Sequence, residues 1–477
     1  MKEEEIIQQR HNKLKELRKE GIEPYGRAFL RKPISEVQEG EKEVSAAGRI
    51  MAFRKHGKVA FLDICDWTGK MQLYFKKGIL SEKGYRLFEN LDIGDIIGVK
   101  GEVFKTRTGE LTILVQNLTV LAKSLRPLPE KWHGLKDVEA RFRHRYVDLI
   151  INEEVREIFK KRMNILQYIR EFLNGKEFME VETPMMHPIS GGAEAKPFIT
   201  YHNTLETDLY LRIAPELYLK RLLVGGFEKI YEINRSFRNE GISTLHNPEF
   251  TMLELYSAYG DCEEMMKIAE NLLTFLAEKI NGGLEMKYRD ETINFSSPWK
   301  RITWTDCFKK VGIDNWKDIK IVQKKIEEFN LEVNKDEKNN LFGLLETIFK
   351  RKIQQEFINP TFVIEYPEEV SPLAKSYPDN PHMTERFELY IGGIELSNAY
   401  SELNDPIEQK DRFLKEIKSE MSERPKVLDS DYIEALEYGM PPAGGLGIGI
   451  DRLVMLFTNT SSIREVVLFP LLRPTKK

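Results

Sequence analysis

Alternation of apolar and polar positions dominates the first quarter of the chain. In MQLYF, residues 71–75, a period of two puts Met71, Leu73 and Phe75 on one face and Gln72 and Tyr74 on the other. KVAFLDIC, residues 58–65, likewise turns Ala60, Leu62 and Ile64 inward and Val59 and Phe61 outward. Turn signals at Gly57, DWTG, Gly94, Gly101 and RTGE divide residues 44–121 into about five strands. This pattern predicts a β-barrel of the oligonucleotide-binding type, whose strand face stacks single-stranded bases on aromatics. Phe61 is then either such an aromatic or a cover over a gap beside a second domain, and the segment alone leaves both open.

The period lengthens beyond a proline-marked connector, RPLPEKWHGL. EARFRHRYVDL then sets Arg141, Arg143 and Arg145 at alternate positions, where structural ion pairs are expected rather than phosphate contacts. Val155, Ile158, Phe159, Leu166, Ile169 and Leu173 form one stripe, which predicts an amphipathic helix over 153–174 with Gly175 as its C-cap. FMEVETPMM reads as a strand stopped by Pro184. FEKIYEI and EFTMLELYSAY read as two strands of a hairpin, with residues 234–248 as the loop between them.

On the second of those strands Phe250, Met252, Glu254 and Tyr256 share one face, and Thr251, Leu253 and Leu255 the other. A carboxylate between aromatics on a central strand is expected to floor a binding site. Arg238 and Glu240, where the loop begins, reach over that floor, and arginine is the side chain that grips phosphate bidentately.

Near the C-terminus, GGLGIGIDRLVMLF offers alternating glycines at 445, 447 and 449. A dinucleotide-binding loop would be followed by further strand and helix units, which this chain lacks room for. The pattern instead predicts a strand pressed against a ligand or a neighbouring backbone, leading into a helix that opens at Asp451 and Arg452 and suits a phosphate. In FELYIGGIELSNAYSEL, a turn at Gly392 and Gly393 pairs residue 390 with 395 and 388 with 397. Glu388 and Glu395 become diagonal neighbours on one face, an arrangement that asks for a bridging cation such as magnesium. Glu402 falls on the opposite face unless a bulge near Ser397 or Asn398 restores its parity.

The chain has 477 residues, 41% hydrophobic and 31% charged, so two or three soluble domains are expected and a disordered or membrane protein is not. Its charged N-terminus, MKEEEIIQQRHNKLKELRKEG, has no apolar core of a leader peptide, which predicts a cytoplasmic protein. Cys65, Cys262 and Cys307 are too scattered for a zinc site or a disulfide framework. A net charge of -4 excludes a uniformly basic nucleic-acid coat and permits local basic patches.

These motifs carry a resemblance. EVETP, FRNEG followed by HNPEFTMLE, and GIGIDRL look like motifs one, two and three of a class II aminoacyl-tRNA synthetase. APELYLKRLLVGGFEKIYEINRSFRNEGISTLHNPEFTMLELY, GGIELSNAYSELND and GRIMAFRKHGKVAFLDICDWTGKMQLYF narrow it to the class II lysyl-tRNA synthetases of bacterial type, over nearly the whole chain. The resemblance implies an α+β fold: an N-terminal helix and five-stranded barrel over 1–125, a linker over 126–152, and a catalytic antiparallel sheet with flanking helices over 153–477. Residues 315–355 would be a variable helical insertion, and a homodimer interface would include EVETP.

It further implies ATP, L-lysine and tRNA(Lys) as substrates and Mg2+ as cofactor, with lysyl-adenylate as intermediate. Arg238 would bind the α-phosphate and the lysine carboxylate, Arg452 the γ-phosphate, and Phe250 the adenine, with Glu240 and His246 orienting the nucleotide. Gly192 and Glu216 would receive the α-amino group. Glu254, Tyr256, Asn398, Tyr400 and Glu402 would shape the side-chain pocket, Glu402 taking the ε-ammonium. Glu388 and Glu395 would hold magnesium. Arg54, Phe61, Gln72 and Glu110 would read the anticodon.

Two rival readings stand beside this one. An aspartyl or asparaginyl relative shares the barrel and fold, yet its pocket needs a cation where this chain offers Glu254 and Glu402. A paralogue that lysylates a protein, or only binds RNA, is opposed by the intact barrel and by the retained Arg238, Glu388, Glu395 and Arg452.

Overall fold

A computed structural model describes residues 3–129, 137–333, 338–418 and 427–474. The connector RPLPEKWHGL therefore lies partly outside the described residues. The chain divides into two compact units, residues 1–138 and 139–477.

In the first unit the strands Val44–His56, Val59–Cys65, Lys70–Lys76, Ile96–Lys105 and Leu111–Ala122 close into a barrel. The third and fifth strands pair in parallel and the remaining neighbours antiparallel. Its interior holds Ala60, Leu62, Ile64, Met71, Leu73 and Phe75, the faces that alternation assigned inward. A helix, Glu3–Lys19, lies on the barrel unit, where Arg10 donates to the carbonyls of Ser124, Arg126 and Ile93 and Leu17 is buried. Those carbonyls thus gain a charged donor that fixes the helix in place.

The second unit is built on a sheet ordered Lys300–Thr303, Thr361–Pro367, Asn380–Ile391, Ile394–Ser401, Ala443–Gly449, Glu249–Ala258, Lys229–Phe237 and Met179–Glu180. Its middle is antiparallel, and each edge carries one parallel pair. Helices Glu153–Asn174, Cys262–Asn281 and Ile450–Thr458 join one face of it in a single apolar core with Leu253, Leu255, Leu446 and Ile448. The other face of the central strands is left for polar groups.

Four sequence expectations change. FMEVETPMM keeps only Met179–Glu180 and Met186–His187 as strand. Around it Thr183 donates to Glu232, which is paired with buried Arg212, so side-chain bonds hold the segment where ladder bonds stop. The hairpin strands run on to Phe237 and resume at Glu249, which shortens the loop to 238–248, because Ser236 pairs with Phe250 and Arg235 with Thr251. Tyr390 does oppose Glu395, but Glu388 opposes Asn398 rather than Ser397. The extra residue is Leu396, so the bulge lies one position before Ser397. Finally, Gly175 caps its helix in a right-handed conformation, and Glu177 takes the positive φ instead. The arginine cluster is structural as read: Arg145 is buried against Asp148, which also accepts from Arg141.

Candidate active site

The polar face of the central strands assembles the residues singled out by sequence. Pairing lines Glu254, Gly447, Asn398 and Glu388 across four strands in one row, and Tyr256, Gly445, Tyr400 and Arg386 in the next. The alternating glycines thus occupy the middle of the floor, between acidic and aromatic neighbours. A side chain there would fill the space above them: a β-carbon on Gly445 would lie 2.0 Å from Glu402 Oε1. None of the three glycines has a positive φ, so at Gly445 the missing side chain makes room for Glu402 and Tyr256 rather than giving backbone freedom.

Around this floor lie three carboxylates. Glu216 opens the helix Glu216–Val224 and accepts from Tyr400 Oη at 2.6 Å and from Lys220 Nζ at 2.6 Å. Glu254 is buried, with Tyr256 Oη donating to it at 3.3 Å, and burial, reinforced by Glu216 and Glu232, pushes its carboxyl up to about 8. Glu402, only 1% exposed, pairs with Lys220, and its Oε1 has no hydrogen-bond partner among the described residues. Gly192 adopts a φ of +89°, and its open side faces Ala214 and Glu216. Asn398 accepts from Arg386 Nε at 2.9 Å.

Beyond the floor is a cationic rim. Arg238 follows the strand end, its guanidinium 5.1 Å from the centroid of the Phe250 ring and its buried Nε without a partner among the described residues. Arg452, in the first turn of Ile450–Thr458, donates to the Glu395 carbonyl at 2.8 Å and lies 3.3 Å from His246 Nε2. Burial, helped by Arg452 and Lys350, lowers His246, which keeps it neutral near pH 7. Glu240 stands exposed in the loop. Asp451 beside Arg452 has a separate job: it accepts from Thr251 N at 2.7 Å and from Arg162 at 2.6 Å, tying helix to strand.

Glu388 and Glu395 still sense each other across the shifted register, since Glu395 is among the influences that raise Glu388. Glu388 is also clasped by Arg386, Tyr366 and Tyr390, partners that its sequence neighbourhood did not announce. Among the described residues no group of three or more His, Cys, Asp or Glu could hold a metal. Two carboxylates beside a cationic rim nonetheless fit a magnesium ion, which keeps waters and takes its remaining oxygens from phosphates.

In the barrel unit, Arg54 opposes Phe61, Phe61 opposes Tyr74, and Asp63 opposes Gln72 on one face. The rings of Phe61 and Tyr74 lie 5.0 Å apart. Gln72 donates to Glu110 at 2.8 Å, and Asp63 pairs with Arg54 and Lys70. Gln72 is buried by these neighbours, so it stands within a network rather than alone on an open face. Tyr74 and Asp63 were not singled out by sequence, although alternation already put Tyr74 on this face.

This barrel, this sheet and these arginines define a tRNA synthetase of class II. The family "tRNA synthetases class II (D, K and N)" matches residues 137–473, and "OB-fold nucleic acid binding domain" matches 44–121. Lysine–tRNA ligase of Carboxydothermus hydrogenoformans is 58% identical over 98% of both chains. That of Pelotomaculum thermopropionicum is 53% identical over 98% of this chain and 95% of its own, and that of Moorella thermoacetica 48% over 100% and 99%. The chain belongs to the class II tRNA synthetases of the D, K and N group, and within it to the lysine–tRNA ligases.

Proposed function

We propose that the protein activates L-lysine with ATP, giving lysyl-adenylate and pyrophosphate, and transfers the lysyl group to the 3′ end of tRNA(Lys). The observation that carries this reading is the enclosure of Glu216, Glu254 and Glu402 in one pocket on the glycine floor. An amino acid with an ammonium at each end matches such a pocket. Aspartate would need an unmatched cation, and Lys220, the buried cation beside these carboxylates, is already matched by Glu216 and Glu402.

The first step needs positioning and charge neutralisation rather than a base, because the attacking carboxylate is already ionised. Its oxygen bonds to the α-phosphorus while the bond to the pyrophosphate oxygen breaks. Arg238 would bind both the carboxylate and the α-phosphate, its free Nε offering a donor, and Arg452 would hold the γ-phosphate. Phe250 would stack on adenine, with Glu240 and His246 orienting the nucleotide. Gly192 and Glu216 would take the α-amino group, Glu402 the ε-ammonium, and Tyr256, Asn398 and Tyr400 the stem. Glu388 and Glu395 would hold Mg2+, which when bound neutralises phosphate charge. In the second step a ribose hydroxyl of the tRNA attacks the lysyl carbonyl and AMP leaves.

In the barrel, Phe61 would stack on an anticodon base, and Arg54, Gln72 and Glu110 would read base edges by hydrogen bonds. The EVETP region supports a homodimer, since the exposed Met185 and Met186 that follow it give an apolar surface for a second copy. No helix among the described residues is long and apolar enough to cross a membrane. A cytoplasmic location agrees with the use of tRNA and ATP.

ATP–pyrophosphate exchange with each proteinogenic amino acid, in magnesium and without tRNA, tests this reading. Exchange with lysine alone is expected. Exchange with aspartate or asparagine would overturn the assignment of Glu254 and Glu402.

A further inference from the structure

The pocket built for an ammonium already contains one. Lys220 is fully buried on the helix Glu216–Val224. Its Nζ lies 2.6 Å from Glu216 Oε1, is paired with Glu402 Oε2, and stands 5.4 Å from the centroid of the Tyr400 ring. The pairing uses one oxygen of each carboxylate. Glu402 Oε1 remains buried over Gly445 and unpartnered among the described residues.

A buried carboxylate without a counter-charge takes up a proton, and a neutral acid attracts an ammonium poorly. Three carboxylates in one closed pocket would repel each other and do this readily. Burial alone would lower Lys220, but Glu216 and Glu402 together outweigh it and hold the ammonium above the ordinary lysine range. Burial and Glu216 raise Glu402 to about 8, and Lys220 is the charge that keeps it from rising further. The titratable groups facing this pair are Glu216 on the same helix, Tyr400 on the strand before Glu402, Tyr432 on helix Ser430–Glu437, and Glu254 and Tyr256 on the central strand. Arg386 faces Tyr400, Arg221 faces Tyr432 and Arg212 acts on Glu254, while Lys220 is the cation paired with Glu402 itself.

We propose that Lys220 is a positioning residue for amino-acid recognition. Its ammonium pairs with one oxygen of Glu402, aligns the carboxyl before substrate arrives and weakens its hold on a proton, and leaves Oε1 free to receive the ammonium of the substrate. This rests on the reading of Glu402 as the ε-ammonium receptor. A merely structural Lys220 would serve stability and leave substrate recognition alone.

The test measures lysine and ATP KM in pyrophosphate exchange, between about pH 6.5 and 9, for the wild type, Lys220→Met and Glu402→Gln. Lys220→Met is expected to raise lysine KM about tenfold or more near pH 7, one unit of carboxylate shift being tenfold, with ATP KM little changed. The deficit should narrow as pH rises, because hydroxide removes the proton that Lys220 otherwise excludes. A Lys220→Met enzyme with the wild-type lysine KM and pH profile overturns the proposal, and so does a deficit that does not change with pH.

A second measurement does not depend on that variant folding. Calorimetry of lysine binding near pH 9, in buffers of different ionisation heat, counts protons released by the wild type and by Glu402→Gln. Equal counts are expected, because at that pH Glu402 is ionised beside Lys220; an excess near one proton in the wild type overturns the proposal. Absence of lysine exchange in the wild type would instead refute the proposed function, and an unaltered lysine kcat/KM in Glu402→Gln would refute only the receptor role on which this inference rests.

Discussion

A β-carbon on Gly445 would lie 2.0 Å from Glu402 Oε1 and 2.6 Å from Tyr256 Cε1. Neither neighbour yields easily, since Glu402 is pinned by Lys220 and Tyr256 is buried between strands. Gly445→Ala should therefore displace the carboxylate and raise lysine KM by about tenfold or more, the scale of one misplaced group in a tight pocket. ATP KM should stay near its wild-type value. An unchanged lysine KM would mean that the pocket has slack that the structure does not show.

Glu254 gives a stability signal with a definite sign. Its carboxyl is pushed up to about 8 by burial beside Glu216 and Glu232, so the folded state binds this proton more tightly than the unfolded chain does. Stability from that proton is present below the ordinary carboxylate pKa and is lost as pH rises toward 8. Glu254→Gln, neutral at every pH, should thus gain on the wild type as pH increases, by on the order of 4 kcal/mol at pH 8 or above. Denaturation midpoints of the two proteins should converge near pH 4.5. Parallel curves across that range would refute the buried-acid account.

Phe61 and Tyr74 offer a pair of rings on the barrel surface, each on a different strand. Stacking on a base is worth about 1–3 kcal/mol by alanine substitution. Phe61→Ala should weaken tRNA charging by about tenfold or more through KM for tRNA. Pyrophosphate exchange, which needs no tRNA, should be unaffected. Equal loss of both activities would make Phe61 a structural residue.

What was legible in the sequence follows from which forces act locally. Ala60, Leu62 and Ile64 alternate against polar neighbours, so the barrel interior could be read directly. The central strand was equally plain, because Leu253 and Leu255 face the core while Glu254 cannot. The hairpin loop was drawn too long because Arg235 and Ser236 look like loop residues; only pairing with the partner strand shows them as ladder members. The bulge at Leu396 was expected from the parity of Glu402, but its position depends on cross-strand register, which no local pattern fixes. Lys220 was invisible for a related reason. Four residues after Glu216, it reads as an ordinary solvated helix pair, and only the arrival of Glu402 from a distant strand shows it as buried.

Arg386 was missed in the same way, and it joins two parts of the site. Its Nε donates to Asn398, a proposed lysine contact, while its guanidinium also holds Glu388, a proposed magnesium ligand. Arg386→Met should therefore disturb both substrates' sites, raising lysine KM and the magnesium concentration needed for half-maximal exchange. Glu388→Gln should move the magnesium requirement by about tenfold while leaving lysine KM within about twofold, because Asn398 keeps its arginine donor. The comparison is diagnostic. If both variants shift only the magnesium curve, Asn398 holds its place without Arg386; if Glu388→Gln leaves the magnesium curve untouched, Glu388 is a partner of Arg386, Tyr366 and Tyr390 and not a ligand.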